Sequence, residues 1–301
     1  MKLGFITNCF AWAGMNDLTA MARWAGDNGF SDLEVGPSIP LDEALFASVA
    51  EKTGIRPSTF IYCRNFLDPK DGEGHRKALL DRIDFAARVG AEKVVCSTGI
   101  NDRIVVDGNV LKYDPSSCLD AVADTFGPIL EQAEKQGVRV AFELCPMMFN
   151  TAISPYMLEK IFERLGSSMV GLAFDPSHLV WEMIDPYPMV EQFAGRIFHV
   201  HGKDCEILWE KLRKCGILHT VQRFDHPVDN GEGTKEYDNT WYRYRLPGLG
   251  SLDWGRIISD LQVSGYNGTI SIEHEDPVWC GSIEKIQKGL LKARDHLNLY
   301  L

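Results

Sequence analysis

The sequence lacks several features that would place it in a simple class. No stretch approaches the roughly 18 consecutive apolar residues of a membrane span, so none is expected. The apolar opening Leu3–Phe10 is broken by Thr7 and Asn8 and preceded only by Lys2, which makes a poor signal peptide. The eight cysteines (9, 63, 96, 118, 145, 205, 215, 280) contain no C-x-x-C pair and no regular spacing; they read as reduced thiols of a cytoplasmic protein. Basic residues are in deficit, 31 Lys and Arg against 42 Asp and Glu, for a formal charge of -11. An acidic surface repels a phosphate backbone at long range, so nucleic acid is not expected as the main partner. No Gly-rich phosphate loop follows the first apolar run, where Thr7-Asn8-Cys9-Phe10-Ala11-Trp12 stands. A doubly wound nucleotide-binding sheet is therefore disfavoured.

What is present has the composition of a globular protein, 45% hydrophobic and 24% charged over 301 residues, long enough for a sizeable core. A rhythm runs through it: a β-branched or aromatic run, a loop, a stretch of helical periodicity, then a glycine. Strands are predicted at Leu3–Thr7, Asp32–Val35, Arg56–Ile61, Lys93–Ser97, Val138–Leu144, Val170–Asp175, Ile197–Lys203 and Thr269–Glu275. Helices are predicted near 17–28, 41–53, 74–89, 116–136, 155–165, 188–194, 253–264 and 282–298. Asn28-Gly29-Phe30, Thr53-Gly54-Ile55, Gln136-Gly137-Val138 and Ser264-Gly265-Tyr266 read as helix stops, because glycine accepts the left-handed backbone that ends a helix. Eight such units fit an α/β fold of one (β/α)8 TIM barrel over residues 1–301, with a long aromatic-rich insertion at about 205–250 after strand seven. Loops of that length are usually lids or binding elements.

Barrel enzymes carry their chemistry at the C-terminal ends of strands. Side chains alternate along a strand, so Ala141 and Glu143 share one face, Gly171, Ala173 and Asp175 another, and Ser271 and Glu273 a third. The small and acidic residues suit the barrel interior, while Val140, Phe142, Leu172, Phe174, Ile270 and Ile272 suit the side under the helices. Strand seven gives His199 and His201 a common parity. Glu143, Asp175, His201 and Glu273 are thus predicted to converge on one mouth. Three carboxylates do not sit together without a neutralising charge. An oxygen-rich set with one imidazole suits a divalent cation, Mn²⁺ first, with Mg²⁺ or Co²⁺ as alternatives.

These residues resemble the xylose-isomerase-like barrels of the sugar isomerase/epimerase superfamily, which includes ketose 3-epimerases, inosose isomerases and dehydratases, and endonuclease IV. The motifs are Phe142-Glu143, Phe174-Asp175-Pro176-Ser177-His178, His199-Val200-His201-Gly202-Lys203-Asp204, and Gly265-Tyr266-Asn267-Gly268 leading to Glu273. The resemblance implies metal binding by Glu143, Asp175, His201 and Glu273, acid and base roles for Glu143 and Glu273, and a substrate oxygen or outer metal contact at His178. Two departures stand out. Cys145 occupies a position where many relatives carry histidine, and no early strand supplies the extra histidines of an endonuclease site, His75 being the only one before His178.

Other positions carry two readings each. Glu34, in Asp32-Leu33-Glu34-Val35-Gly36, is a substrate contact or a surface ion pair; His199 is a hydrogen-bonded interior residue before it is a substrate contact. Lys203 polarises a substrate oxygen or pairs with a carboxylate at the mouth. His274 has the outward parity of Ile272 and reads as a satisfied structural histidine; Cys145 reads as an inert thiol near the pocket. In Trp241-Tyr242-Arg243-Tyr244-Arg245 the aromatic faces suit a sugar ring and Arg245 an oxygen-rich group, with an edge strand or subunit contact as the alternative. Gly248-x-Gly250 before Asp253 reads as a helix entry with Asp253 as N-cap as much as a phosphate loop.

The expected activity is that of a divalent-metal-dependent isomerase or epimerase. It abstracts a proton next to the carbonyl of a keto sugar or derivative and passes through an enediolate. A lyase that eliminates an aglycone from a 3-keto-glycoside, resembling the metal-binding subunit of C-glycoside deglycosidases with its small partner subunit, is the alternative. A sugar-binding barrel without catalysis is the reading of another class. A small-molecule sugar is the expected ligand, and the aromatic insertion favours a homo-oligomer.

Overall fold

The computed structural model describes residues 1–101, 115–146, 150–217 and 241–301. Most of the predicted insertion, 218–240, lies outside the described residues. The strands are β1 (Lys2–Ile6), β2 (Asp32–Val35), β3 (Thr59–Ile61), β4 (Lys93–Cys96), β5 (Arg139–Glu143), β6 (Val170–Phe174), β7 (Ile197–Gly202), β8 (Asp204–Ile207), β9 (Tyr242–Arg245) and β10 (Thr269–Ile272). All strands but β8 and β9 pair in parallel and close on themselves in the order β1-β10-β7-β6-β5-β4-β3-β2. Each predicted barrel strand is present: β2 keeps its predicted bounds, β1 starts and ends one residue earlier, and the other six are trimmed by one to three residues at one or both ends. The helices are α1 (Asn8–Trp12), α2 (Leu18–Asp27), α3 (Glu43–Thr53), α4 (Gly72–Val89), α5 (Leu119–Gln136), α6 (Pro155–Leu165), α7 (Pro176–Trp181), α8 (Pro188–Gln192), α9 (Trp209–Cys215), α10 (Trp254–Val263) and α11 (Ile283–Leu297).

Local chemistry sets the helix ends. Asp17, Ser154 and Asp253 accept hydrogen bonds from backbone N–H groups two or three residues into α2, α6 and α10. Gly54 and Gly137 end α3 and α5 at φ 74° and 67°, where a side chain would be strained. The short helices α1, α7 and α9 were not predicted, because five to seven residues carry too little periodicity.

The barrel has two faces of opposite character. Val140, Phe142, Leu172, Phe174, Val200, Ile270 and Ile272 pack outward into the main core beneath the helices, each burial contributing about 1.5–3 kcal/mol. Inward, a small cluster of Ile6, Ile61, Cys63, Val95, Ala141 and Ala173 plugs the bore with Phe198. Phe198 fits there because the β6–β7 register jumps: Leu172 faces Ile197 and Ala173 faces His199, leaving Phe198 as the extra residue of a bulge.

The insertion begins and ends as an antiparallel ribbon, β8 with β9, pairing Asp204 with Arg245 and Ile207 with Tyr242. The edge-strand alternative for Trp241–Arg245 is therefore what the chain adopts. Asp204 anchors the ribbon's base: its carboxylate accepts from the N–H groups of Cys205, Gly248 and Leu252 and from the indole N–H of Trp254. A Cβ on Gly250 would lie 2.2 Å from the Asp204 carboxylate. The Gly248-x-Gly250 segment is thus packed on Asp204, and Asp253 caps α10 by accepting from Arg256 N at 3.0 Å.

Candidate active site

The C-terminal ends of β5, β6, β7 and β10 bring four side chains together. One ligand atom each from Glu143, Asp175, His201 and Glu273 lies within 4.8 Å of all the others, and all four residues are buried. Period-two alternation does this, since each residue continues the inward face of its strand. His201 Nδ1 is the hub, 3.0 Å from Glu143 Oε1, 3.5 Å from Glu273 Oε2 and 3.8 Å from Asp175 Oδ2. Its other nitrogen, Nε2, faces Glu34 Oε1 at 3.3 Å. A carboxylate behind an imidazole in this way orients the ring and strengthens the facing nitrogen as a ligand.

The donor set fits a divalent cation. Asp175 Oδ1 accepts from Ser177 N and Ser177 Oγ at 2.9 and 2.7 Å, opening α7. Its Oδ2 is buried and accepts no hydrogen bond of good geometry, although Lys203 Nζ is 3.0 Å away. Asp175 Oδ2, with the Lys203 ammonium beside it, keeps lone pairs free for a cation alongside two more carboxylates and an imidazole. Three oxygen donors and one nitrogen match a hard or borderline metal.

The charge balance agrees. Burial by itself would raise Glu34, Glu143 and Asp175, but His199 and His201 around Glu34, His201 around Glu143, and Lys203 around Asp175 hold all three below the usual carboxylate range. Burial would lower His201 and Lys203, and the surrounding carboxylates push both well up. Glu273 goes the other way. Burial, with Glu275 and Glu143 close by, outweighs the Lys203 ammonium 2.6 Å away and pushes it well above the carboxylate range. Without a metal, Glu273 is the acid that keeps its proton.

The remaining predicted positions fall into three groups. His178 and Lys203 join the cluster: His178 Nε2 is 3.4 Å from Asp175 Oδ2, 3.7 Å from Glu143 Oε1 and 3.3 Å from Lys203 Nζ. Glu34 and His199 form a buried layer beneath, with His199 Nε2 on Glu34 Oε2 at 2.7 Å. The surface-pair alternative for Glu34 therefore fails, because the barrel wall leaves it 1% exposed. Arg245 is not brought to the cluster. Its guanidinium donates to Asp276 Oδ2 at 2.8 Å and Glu206 Oε2 at 2.7 Å, tying the ribbon to the loop after β10. The reason is parity: Arg243 and Arg245 share the face of β9 that looks at Glu206, and Tyr242 and Tyr244 take the other.

His274 lies outside the bore as expected, and neither ring nitrogen makes a hydrogen bond of good geometry; burial pushes the imidazole down to about 4. Cys145 is buried, and burial followed by the Glu143 carboxylate pushes its thiol well up.

Cys63, Glu275 and Trp181 were missed in the sequence, and Tyr244 was read there as a ring facing a sugar. Cys63 donates its S–H to Glu143 Oε2 at 3.2 Å, and Glu275 Oε2 lies 3.3 Å from Lys203 Nζ. Tyr244 Oη lies 2.8 Å from His178 Nδ1, and Trp181 stacks on Tyr242 with ring centroids 4.8 Å apart and planes at 6°. Parity held a usable signal: Cys63 continues Thr59 and Ile61, Glu275 continues Glu273, and aromatic residues alternate with arginine along β9.

Residues 22–298 match the model of the family described as xylose isomerase-like TIM barrel. The chain belongs to that family. Among its members, an inosose dehydratase of Clostridium beijerinckii is 25% identical, over 87% of this chain and 83% of its own. At the level of fold, the barrel superposes on a D-psicose 3-epimerase of Clostridium cellulolyticum H10, crystallised with D-tagatose, at a TM-score of 0.73 and 15% identity, covering 100% of this chain and 99% of the other. It also superposes on the IolI protein with a bound zinc atom, at 0.68 and 19% identity over 100% and 99% of the two chains. The dehydratase and the epimerase are both named as enzymes. Among the described residues, no helix of this member of the family is long and apolar enough to cross a membrane.

Proposed function

We propose that this xylose isomerase-like barrel, one domain over residues 1–301, is a divalent-metal-dependent enzyme that moves a proton next to the carbonyl of a keto sugar or derivative. The observation that carries the reading is the four-residue set Glu143, Asp175, His201 and Glu273, buried and mutually within 4.8 Å, with Asp175 Oδ2 lacking a hydrogen bond. These four would hold the cation, Mn²⁺ first. When bound, it supplies a Lewis acid that polarises the carbonyl and stabilises the charge that develops on its oxygen.

The chain's own groups handle the protons. Glu143, held ionised by His201, is suited to remove the proton from carbon. Glu273, beside the Lys203 ammonium at 2.6 Å, is suited to return one. Lys203 Nζ and His178 Nε2, at the rim, bind substrate hydroxyl or carbonyl oxygens. Glu34 and His199 support His201 from below. Return of the proton to the opposite face is epimerisation, and return to the neighbouring carbon is isomerisation.

A lyase reading is favoured by a specific feature. Lys203, beside His178 and Tyr244, is a second proton donor next to the carboxylates and would serve to protonate a leaving oxygen on a carbon β to the carbonyl. The relative named inosose dehydratase supports the same class. Loss of an aglycone from a 3-keto-glycoside, with a small partner subunit, is a variant of that reading.

Incubation of D-psicose, D-fructose, an inosose and a 3-keto-glucoside in D2O with Mn²⁺ tests the proposal by NMR. Solvent deuterium in recovered sugar identifies an isomerase or epimerase, and release of water or aglycone identifies a lyase. No exchange with Mn²⁺, Mg²⁺ or Co²⁺, together with no metal retained on the purified protein, would overturn the enzyme reading and leave a sugar-binding barrel.

A further inference from the structure

We propose that Tyr244, contributed by the insertion, is a positioning residue that fixes the ring of His178 with Nε2 turned into the chamber. The inference rests on the proposed function for its kinetic consequence, and on geometry alone for its structural one. α7 carries His178 and, one turn on, Trp181. β9 meets that helix with two aromatic side chains: Tyr242 stacks on Trp181, and Tyr244 reaches His178. The indole N–H of Trp181 donates to Tyr244 Oη at 3.1 Å, and Tyr244 Oη lies 2.8 Å from His178 Nδ1. The two rings meet edge to face at 82° with centroids 5.4 Å apart. Lys203 Nζ sits 4.6 Å from the centre of the Tyr244 ring, so the same tyrosine roofs the ammonium.

Donor and acceptor rules assign the direction. An ammonium has no acceptor, so Lys203, 3.3 Å from His178 Nε2, can only donate there. With Nε2 accepting from Lys203, the imidazole proton lies on Nδ1, and Tyr244 Oη accepts it. The two lone pairs of that oxygen receive the indole N–H and the imidazole N–H. His178 thereby shows the chamber an acceptor nitrogen, which suits a substrate hydroxyl donating to it in place of Lys203. Without the tyrosine oxygen, the buried Nδ1–H loses its acceptor, and the ring is driven to the other tautomer or to a new rotamer. The aromatic insertion is then a wall of the catalytic chamber and not an accessory ribbon.

Tyr244→Phe removes one oxygen and keeps the ring over Lys203. Histidine ¹⁵N NMR of the metal-free protein, with the His178 signals assigned from a His178→Asn variant, reads the tautomer directly. The wild type is expected to show His178 protonated on Nδ1, and Tyr244→Phe to shift it to the Nε2 form or a mixture, with the melting temperature lower by about 2–5 °C because the Trp181 indole N–H loses its acceptor. With a keto sugar that the wild type turns over, KM is expected to rise about tenfold, the effect of one lost hydrogen bond, with kcat changed less. A wild-type His178 protonated on Nε2, or a tautomer unmoved by Tyr244→Phe, overturns the proposal. A tautomer shift in a protein that acts on no keto sugar upholds the positioning role and sinks the proposed function instead.

Discussion

Lys203→Met tests the charge arrangement most directly. Lys203 is 1% exposed, and its ammonium lies 2.6 Å from Glu273 Oε2, 3.0 Å from Asp175 Oδ2 and 3.3 Å from Glu275 Oε2. Methionine keeps the length of the side chain and removes the charge, leaving the buried carboxylates short of a cation. Breaking a buried pair by deleting one partner costs about 3–5 kcal/mol. Glu273 already keeps its proton, so the loss falls toward the lower end. An unfolding entropy of about 2.1 cal/mol/K per residue makes 1 kcal/mol worth about 1.6 °C at a length of 301 residues. The expected fall in Tm is therefore about 5–6 °C, measured by calorimetry in EDTA. A divalent cation that neutralises the same carboxylates stabilises by about 2.7 kcal/mol at a hundred times its Kd. The gap between variant and wild type is expected to narrow when Mn²⁺ replaces EDTA. If Lys203→Met melts with the wild type in EDTA, or Mn²⁺ leaves the gap as it was, the account of these carboxylates as a charge-starved cation site is wrong.

Three further outcomes follow from other parts of the molecule. Glu143→Gln and Glu273→Gln, assayed with saturating metal, are each expected to slow solvent deuterium exchange into a keto sugar by about 10²–10⁴-fold; turnover at the wild-type rate in either removes that residue from proton transfer. Glu182 Oε2 is buried without a hydrogen bond, and burial raises its carboxyl to about 8. The folded chain thus holds this proton more tightly than the unfolded one, whose carboxyl titrates near about 4.3. That contribution is complete below the unfolded value and is lost as the pH rises through 8. Glu182→Gln should therefore gain on the wild type by about 1–3 kcal/mol between pH 5 and pH 9 in urea unfolding, and a constant difference would refute the assignment. Gly289→Ala adds a Cβ 2.6 Å from His274 Nε2 and 2.9 Å from both Leu246 and Trp279, and should cost about 1–3 kcal/mol; an unchanged urea midpoint would show that α11 can shift.

The sequence by itself determined the barrel and the four-residue cluster. Both follow from short-range rules: alternation along a strand decides which side of the wall a residue takes, and glycine marks where each helix ends. Glu143, Asp175, His201 and Glu273 were legible because each sits at the end of a strand whose apolar partners face the other way. Only the tertiary structure decided what stands around them. The bulge at Phe198 depends on how two neighbouring strands settle their register, which no single strand encodes. Arg245 reads as well for a ligand as for an ion pair until Asp276 and Glu206, distant in sequence, are placed beside it. Tyr244 reaches His178 across 66 positions of sequence, and Cys63 reaches Glu143 across 80. Contacts of that separation arise from closure of the barrel and the fold of the ribbon over its mouth, so local pattern marks the face each residue takes and leaves its partner to the assembled chain.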